Sequence, residues 1–232
     1  MKIVFVGPSL PDVSSFAEDG ILVSPPAVQG DILAAVGRTA SVIGLIDGGF
    51  EYTAPVWHKE ILYALSRNVT VFGAASMGAL RAAECRVFGM IGIGRIYEDY
   101  ERGVTVDDAD VALLHGPVEF GYKALTVPLV NVRATLDKLE NEKRLTHDLR
   151  MKLEDAAGRI FFKKRTWRSI TAHCDGMDGV QQEEMLTLLV SNAVDQKRID
   201  ALALLDAMHA TSDARIDREI LWRMNETFIS PM

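Results

Sequence analysis

The chain has 232 residues, with 25 Lys and Arg against 32 Asp and Glu, a net charge of -7 and 48% hydrophobic residues. This balance excludes a disordered tail, a collagen-like repeat and a broadly basic nucleic-acid binder. The length suits one α/β domain with a smaller appendage and can bury a sizeable core.

The opening Ile3-Val4-Phe5-Val6 is a first strand; it meets Gly7-Pro8 too soon to be a signal peptide or a spanning helix. No membrane segment is expected elsewhere, and the isolated Cys85 and Cys174, outside any CxxC pair, point to a reducing cytoplasm. Further strands are expected at Ile21 to Val23, Ser41 to Ile46 and Val69 to Phe72. Alternation of β-branched runs with helical patterns predicts an α/β fold, an open and mainly parallel sheet with flanking helices.

Between the strands, Gln29 to Val36 reads as a short helix with Asp31 in its first turn and Gly37 as its stop. A longer helix begins near Pro55, with Trp57, Ile61 and Leu65 on one face and a solvated side carrying Lys59, Glu60 and Arg67. Small residues from Gly73 to Gly78 mark a sharp strand-to-helix turn, after which Leu80, Ala83 and Val87 form the expected buried face. Beyond Gly89 the chain reads as irregular through Leu113-Leu114-His115-Gly116-Pro117, long enough to cover a functional face. From Val130 the pattern is wholly helical, with apolar stripes at Val132, Leu136 and Leu139, at Leu186, Leu189 and Val190, and at Ile199, Leu202 and Leu205. The expected division is an α/β core over 1–129 and a helical region over 130–232 packed on it.

Ser76 stands where a strand turns into a helix, so its side chain projects from the carboxyl edge of the sheet. Amides of Met77 and Gly78, unpaired at a helix N-terminus, can hold an anion or an oxyanion there. The layout resembles a nucleophile elbow with Ala74 in place of the first Gly; the alternative is a helix-capping serine. The Lys of a phosphate-binding loop is missing, which weakens a nucleotide-binding reading.

Asp47 ends an apolar strand and is followed by Gly48 and Gly49, the position of the ligand crevice in an open α/β sheet. It is a candidate to orient a base or hold a substrate amine, or else a turn-former. His58 and Lys59 are candidate general bases. Arg81 is spaced to pair with Glu84 and can also bind substrate, and His115 is either a turn residue or one that reaches the site. His147, His173 and His209 lack ligand spacing, so neither a metal nor another cofactor is expected.

Several strings carry a family likeness: Asp47-Gly48-Gly49-Phe50, Trp57-His58-Lys59-Glu60-Ile61-Leu62, and the run from Phe72 through Ser76 to Glu84. With Asp107-Asp108, His115-Gly116-Pro117 and Val130-Asn131-Val132-Arg133, they resemble the TfuA-like family. The resemblance implies a partner of YcaO-type ATP-dependent cyclodehydratases in peptide-backbone thioamidation. It also implies a sulfur donor, a small ubiquitin-like carrier with a C-terminal thiocarboxylate, that TfuA-like proteins hydrolyse to release sulfide.

Together these readings make Ser76 the candidate nucleophile, Lys59 or His58 its base and Asp47 the group that orients the base. Gly48, Met77, Gly78, Arg81 and His115 are the candidate substrate- and oxyanion-binding residues. The alternative is a non-catalytic adaptor or activator that docks YcaO with its sulfur donor.

Overall fold

A computed structural model describes residues 1–17, 20–49, 51–215 and 221–224. In chain order the elements are β1 (Lys2–Phe5), β2 (Ile21–Ser24), α1 (Asp31–Gly37), β3 (Val42–Leu45), α2 (His58–Ser66), β4 (Thr70–Ala74) and α3 (Met77–Cys85). They are followed by β5 (Ile91–Ile93), α4 (Arg95–Glu101), α5 (Leu129–Asn141), α6 (His147–Arg159), α7 (Trp167–Ala172), α8 (Gly179–Ser191) and α9 (Gln196–Ala210). The strands form one parallel five-stranded sheet in the order β2-β1-β3-β4-β5.

The order explains the layering. From β2 through β5 every step runs in the same direction, and right-handed crossovers place the connecting helices α1, α2 and α3 on one face. There Ile3, Phe5, Ile43, Leu45 and Val71 pack against Ile32, Ile61, Ala82 and Cys85. The step from β1 to β2 runs the other way, and among its described residues the connection holds a short 3-10 turn at Val13–Ser15 and no α-helix. The opposite face, with Val4, Val42, Ile46 and Phe72, is covered instead by Ala201, Leu204, Leu205 and Met208 of α9. Gly44 marks how near the helix comes, because a Cβ there would stand 2.4 Å from the sulfur of Met208.

The contacts divide the chain into two compact units, residues 1–106 with 197–232, and residues 107–196. This differs from the expected junction at 129/130. The segment from Asp107 goes with the helices, and α9 returns to the sheet because its apolar stripe completes the sheet's second face. That stripe is offset from the expected one: Ile199 is 52% exposed, whereas Lys197 and Asp200 are buried.

Two further differences concern elements near the site. The stretch after Gly89 is not irregular, since Ile91–Ile93 is the fifth strand and Arg95–Glu101 a helix. The buried face of α3 is Met77, Ala79, Arg81, Ala82 and Cys85, while Val87 lies beyond the helix end and is 72% exposed.

The second unit has its own core, in which Val132, Leu136 and Leu139 meet Leu153, Ala156, Ile170 and Leu189. Arg133 spans its polar side, pairing with Asp110 at 3.1 Å and Glu154 at 2.9 Å.

Candidate functional site

The carboxyl ends of β1 and β3 meet at the topological switch point, where ligands enter open α/β sheets. Asp47 sits there, 2% exposed. Its Oδ2 accepts the amides of Gly7 at 2.8 Å and Ser9 at 2.9 Å, and its Oδ1 accepts the Ser9 hydroxyl at 2.6 Å. Lys197 of α9 brings its Nζ to 4.0 Å from the same Oδ1. Asp47 is therefore a clamp on the loop after β1 rather than an orienter of His58 or Lys59: the hydrogen bonds to its carboxylate come from Gly7 and Ser9, and Lys197 faces its charge from 4.0 Å.

The crevice is roofed by the segment after β2. Ala27 donates to the carbonyl of Asp47 at 3.0 Å, and Gly49 donates to that of Ala27 at 2.7 Å. The approach is close at this crossing, since a Cβ on Gly48 would lie 3.3 Å from both the Ala27 oxygen and the Cβ of Met77. Phe50, which completes the Asp-Gly-Gly-Phe string, lies outside the described residues.

One strand further on, β4 ends at Ala74 and α3 starts at Met77. The reversal is made at Ala75, whose φ of 65° is unusual for a residue with a side chain. The amide of Ser76 closes onto the carbonyl of Ala74 at 2.7 Å, a γ-turn of the strained, positive-φ kind. The strain that an elbow places at its nucleophile thus falls one residue earlier. Ser76 is buried at 7% exposure and its hydroxyl caps no amide of α3. Among the described residues that hydroxyl has no hydrogen-bond partner.

The amides expected to hold an oxyanion separate into two groups. Gly78 donates to the carbonyl of Ile46 at 3.1 Å, which removes its amide from that role. Met77, at the first position of α3, and Gly48 have amides that meet no protein acceptor among the described residues. Both residues line a small cleft of about 180 Å³ together with Leu45, Gly49, Pro55, Val56 and Arg81. Ser76 borders this cleft in sequence but is not one of its lining residues.

Arg81 is buried at 9% exposure, its Nε donating to the carbonyl of Val56 at 3.1 Å and its Nη1 to Glu84 at 2.6 Å. Glu84 also meets His58 Nε2 at 2.8 Å, so the chain Arg81, Glu84, His58 ties the start of α2 to α3. His58 is half exposed and Lys59 is exposed, so neither sits in a buried pocket. Glu60 is the buried member of its string, at 2% exposure. Its carboxylate accepts the amides of Trp57 at 3.2 Å and Gly30 at 2.8 Å, capping α2 and joining it to the start of α1. Burial raises its pKa above the ordinary value, against the pull of those amides.

His115 belongs to the second unit, where its Nδ1 meets the carbonyl of Gly116 at 2.7 Å and its ring lies edge-on to Tyr122. Cys85 is buried in the sheet core, and burial, with Glu84 nearby, pushes its thiol up to about 11. Cys174 is buried too, and its pKa is raised for the same first reason. Among the described residues no group of three or more His, Cys, Asp or Glu could hold a metal ion. No helix of the described residues is long and apolar enough to cross a membrane.

Sequence reasoning missed Ser9 and Lys197. Ser9 stands in the string Gly7-Pro8-Ser9-Leu10, which also resembles the family but carries no sign of a role, and Lys197 is 150 residues from the Asp47 it faces.

The fold and site define an open-sheet α/β protein with a serine turn at the carboxyl edge of its sheet. The family model described as TfuA-like protein matches residues 47–166, just over half of the chain, and the chain belongs to the TfuA-like family. Membership supports a part in thioamidation beside a YcaO-type enzyme. No curated protein matches the chain.

Proposed function

We propose that this protein hydrolyses the C-terminal thiocarboxylate of a small ubiquitin-like carrier and releases sulfide for a YcaO-type enzyme. The observation that carries this reading is the Ser76 turn: an uncapped hydroxyl after a strained residue, beside the amide that opens α3. Ser76 Oγ attacks the carbonyl carbon, the C–S bond breaks with its electron pair on sulfur, and the serine proton ends on the departing hydrosulfide. Water then attacks the acyl-serine, restoring Ser76 and leaving the carrier as a carboxylate with one proton released.

Met77 and Gly48 supply the amides for the oxyanion of both steps. His58, held by Glu84 on the same helix that Ser76 opens, is one of the two candidate bases, with Lys59 the other. The cleft beside the Met77 and Gly48 amides is shallow and lined mainly by small and apolar residues, and a thin glycine-rich tail is the ligand proposed for it. Arg81 on its wall provides a positive charge for the terminal anion.

A relay of sulfur through a cysteine persulfide is the competing chemistry. Because thiocarboxylate sulfur is at the sulfide level, such a relay needs a two-electron oxidant as well as an accessible thiolate, and both cysteines are buried with raised pKa values. The test is intact mass of a thiocarboxylated carrier incubated with this chain alone and with Ser76→Ala. Conversion to the carboxylate that stops in Ser76→Ala supports the reading, and equal conversion by both removes Ser76 from it.

A second reading is an adaptor that docks YcaO with its sulfur donor. It draws on the exposure of His58 and Lys59, which leaves Ser76 without a buried base from α2. A carrier that stays intact until YcaO is added supports that reading.

A further inference from the structure

The first turn of α9 carries a density of polar ties that packing alone does not require. Arg198 pairs with Asp12 in the loop after β1. Asp200 accepts the amides of Arg95 at 3.2 Å and Ile96 at 2.8 Å, capping α4 after β5. Between these, Lys197 faces Asp47 after β3, with both side chains only 3% exposed. Burying an ammonium and a carboxylate is costly, and an apolar residue would fill the same space at less cost.

Lys197 and Ser76 share one corner of the sheet. The helix α9 runs against the strands, since Lys197 lies at the carboxyl end of β3 while the carbonyl of His209 accepts from Lys2 at the start of β1. Register pairs Leu45 with Gly73, so Asp47 and Ser76 follow adjacent strands at nearly the same level. Adjacent strands lie about 4.8 Å apart, and the Gly78 amide on the Ile46 carbonyl closes the gap between the two ends. The apolar stripe of α9 packs in one cluster with Ala74 and Ala75, the residues just before Ser76.

We propose that Lys197 is a positioning residue for the chemistry at Ser76, acting through Asp47. The inference rests on the hydrolase reading above. Attack on a thiocarboxylate adds negative charge to a group already anionic, and an uncompensated Asp47 carboxylate at this corner would oppose it. Lys197 balances that charge and holds the end of β3 and the loop after β1 against the turn that presents Ser76. The residue lies outside the segment 47–166 that matches the family, so the corner is completed from a separate part of the chain.

The test treats the full chain with a fluorophosphonate probe that phosphonylates activated serines with loss of fluoride, read by intact mass and peptide mapping, alongside steady-state sulfide release from the thiocarboxylated carrier. Wild type, Ser76→Ala, Lys197→Met and Lys197→Arg are compared, each with its thermal melt. The expected result is a single label on Ser76 in the wild type, and none at that residue in Ser76→Ala. Lys197→Met is expected to label roughly 100-fold more slowly, with kcat falling in step and KM little changed, and Lys197→Arg to recover most of the rate. Labelling of Lys197→Met as fast as wild type overturns the inference and leaves the Ser76 reading intact. Equal slowing in Lys197→Met and Lys197→Arg, matched by equal loss of melting temperature, overturns it in favour of a structural tie. Absence of any Ser76 label in the wild type overturns the Ser76 reading and the inference with it.

Discussion

The amide of Gly78 donates to the carbonyl of Ile46 at 3.1 Å, and a Cβ on Gly78 would stand 1.8 Å from the carbonyl oxygen of Leu45. The start of α3 is thereby seated directly on the end of β3, and this seat sets where Ser76 and the Met77 amide point. Gly78→Ala cannot keep that seat, because the colliding atom is backbone. The variant is expected to lose about 3 kcal/mol or more. A urea denaturation series that shows an unchanged midpoint would contradict the seating.

Asp47 and Lys197 form the buried charged pair at the switch point. Removing one member leaves the other without its counter-charge, so Asp47→Asn is expected to cost about 3 kcal/mol. The pair is coupled, and Asp47→Asn combined with Lys197→Met is expected to be less destabilised than the sum of the single changes by about 1 kcal/mol or more. Additive losses in a denaturation cycle would show that the two side chains act independently.

How much of this was legible in the sequence depends on the range of the interaction. Strands β1, β3 and β4 were readable because central parallel strands are apolar on both faces, as Val42, Ile43 and Leu45 are. The turn at Ser76 was readable because small residues concentrate where a strand reverses into a helix. Strand β5 was hidden by Gly92 and Gly94. The first is a glycine because the ring of Tyr97 lies where a Cβ would go, at 2.0 Å, and the second because Asp200 does, at 2.4 Å.

Glu60 was read as solvated from its charge, yet it is buried because two helix starts meet at its carboxylate. For Asp47 the position was legible and the role was not: its partners Gly7, Ser9 and Lys197 come from segments 38 or more residues away. The return of α9 to the sheet escaped for the same reason. Periodicity shows that a helix has an apolar stripe, and only the tertiary fold shows what that stripe covers.

The two cysteines are expected to be dispensable for sulfur release. Cys85→Ala with Cys174→Ala should release sulfide within about twofold of the wild-type rate, because a thiol held protonated by burial is a poor nucleophile. The folded wild type should likewise resist alkylation at mildly alkaline pH, with Cys85 up at about 11. Loss of sulfide release in the double variant, with its fold intact, would move the acyl transfer from Ser76 to a cysteine.

Glu60 gives a pH dependence with a defined sign. Its folded pKa lies above the ordinary 4.5 because burial disfavours the carboxylate. The folded protein therefore holds this proton more tightly, and the stability that results is present in full below 4.5 and lost as pH rises through the folded value. Denaturation midpoints of wild type and Glu60→Gln, compared from about pH 4 to about pH 7, should show the wild type losing ground to the variant as pH rises. A difference that moves the other way would contradict the assignment.

The central claim is that Ser76 breaks the carbon–sulfur bond. Its most direct measurement is the reaction of a thiocarboxylated carrier with the chain alone in water enriched in oxygen-18, followed by intact mass and sulfide determination. The predicted result is carrier carboxylate bearing one heavy oxygen, one sulfide per turnover, and a transient acyl adduct that maps to Ser76 and is absent in Ser76→Ala. Turnover by Ser76→Ala at the wild-type rate would contradict the claim and place the chemistry elsewhere.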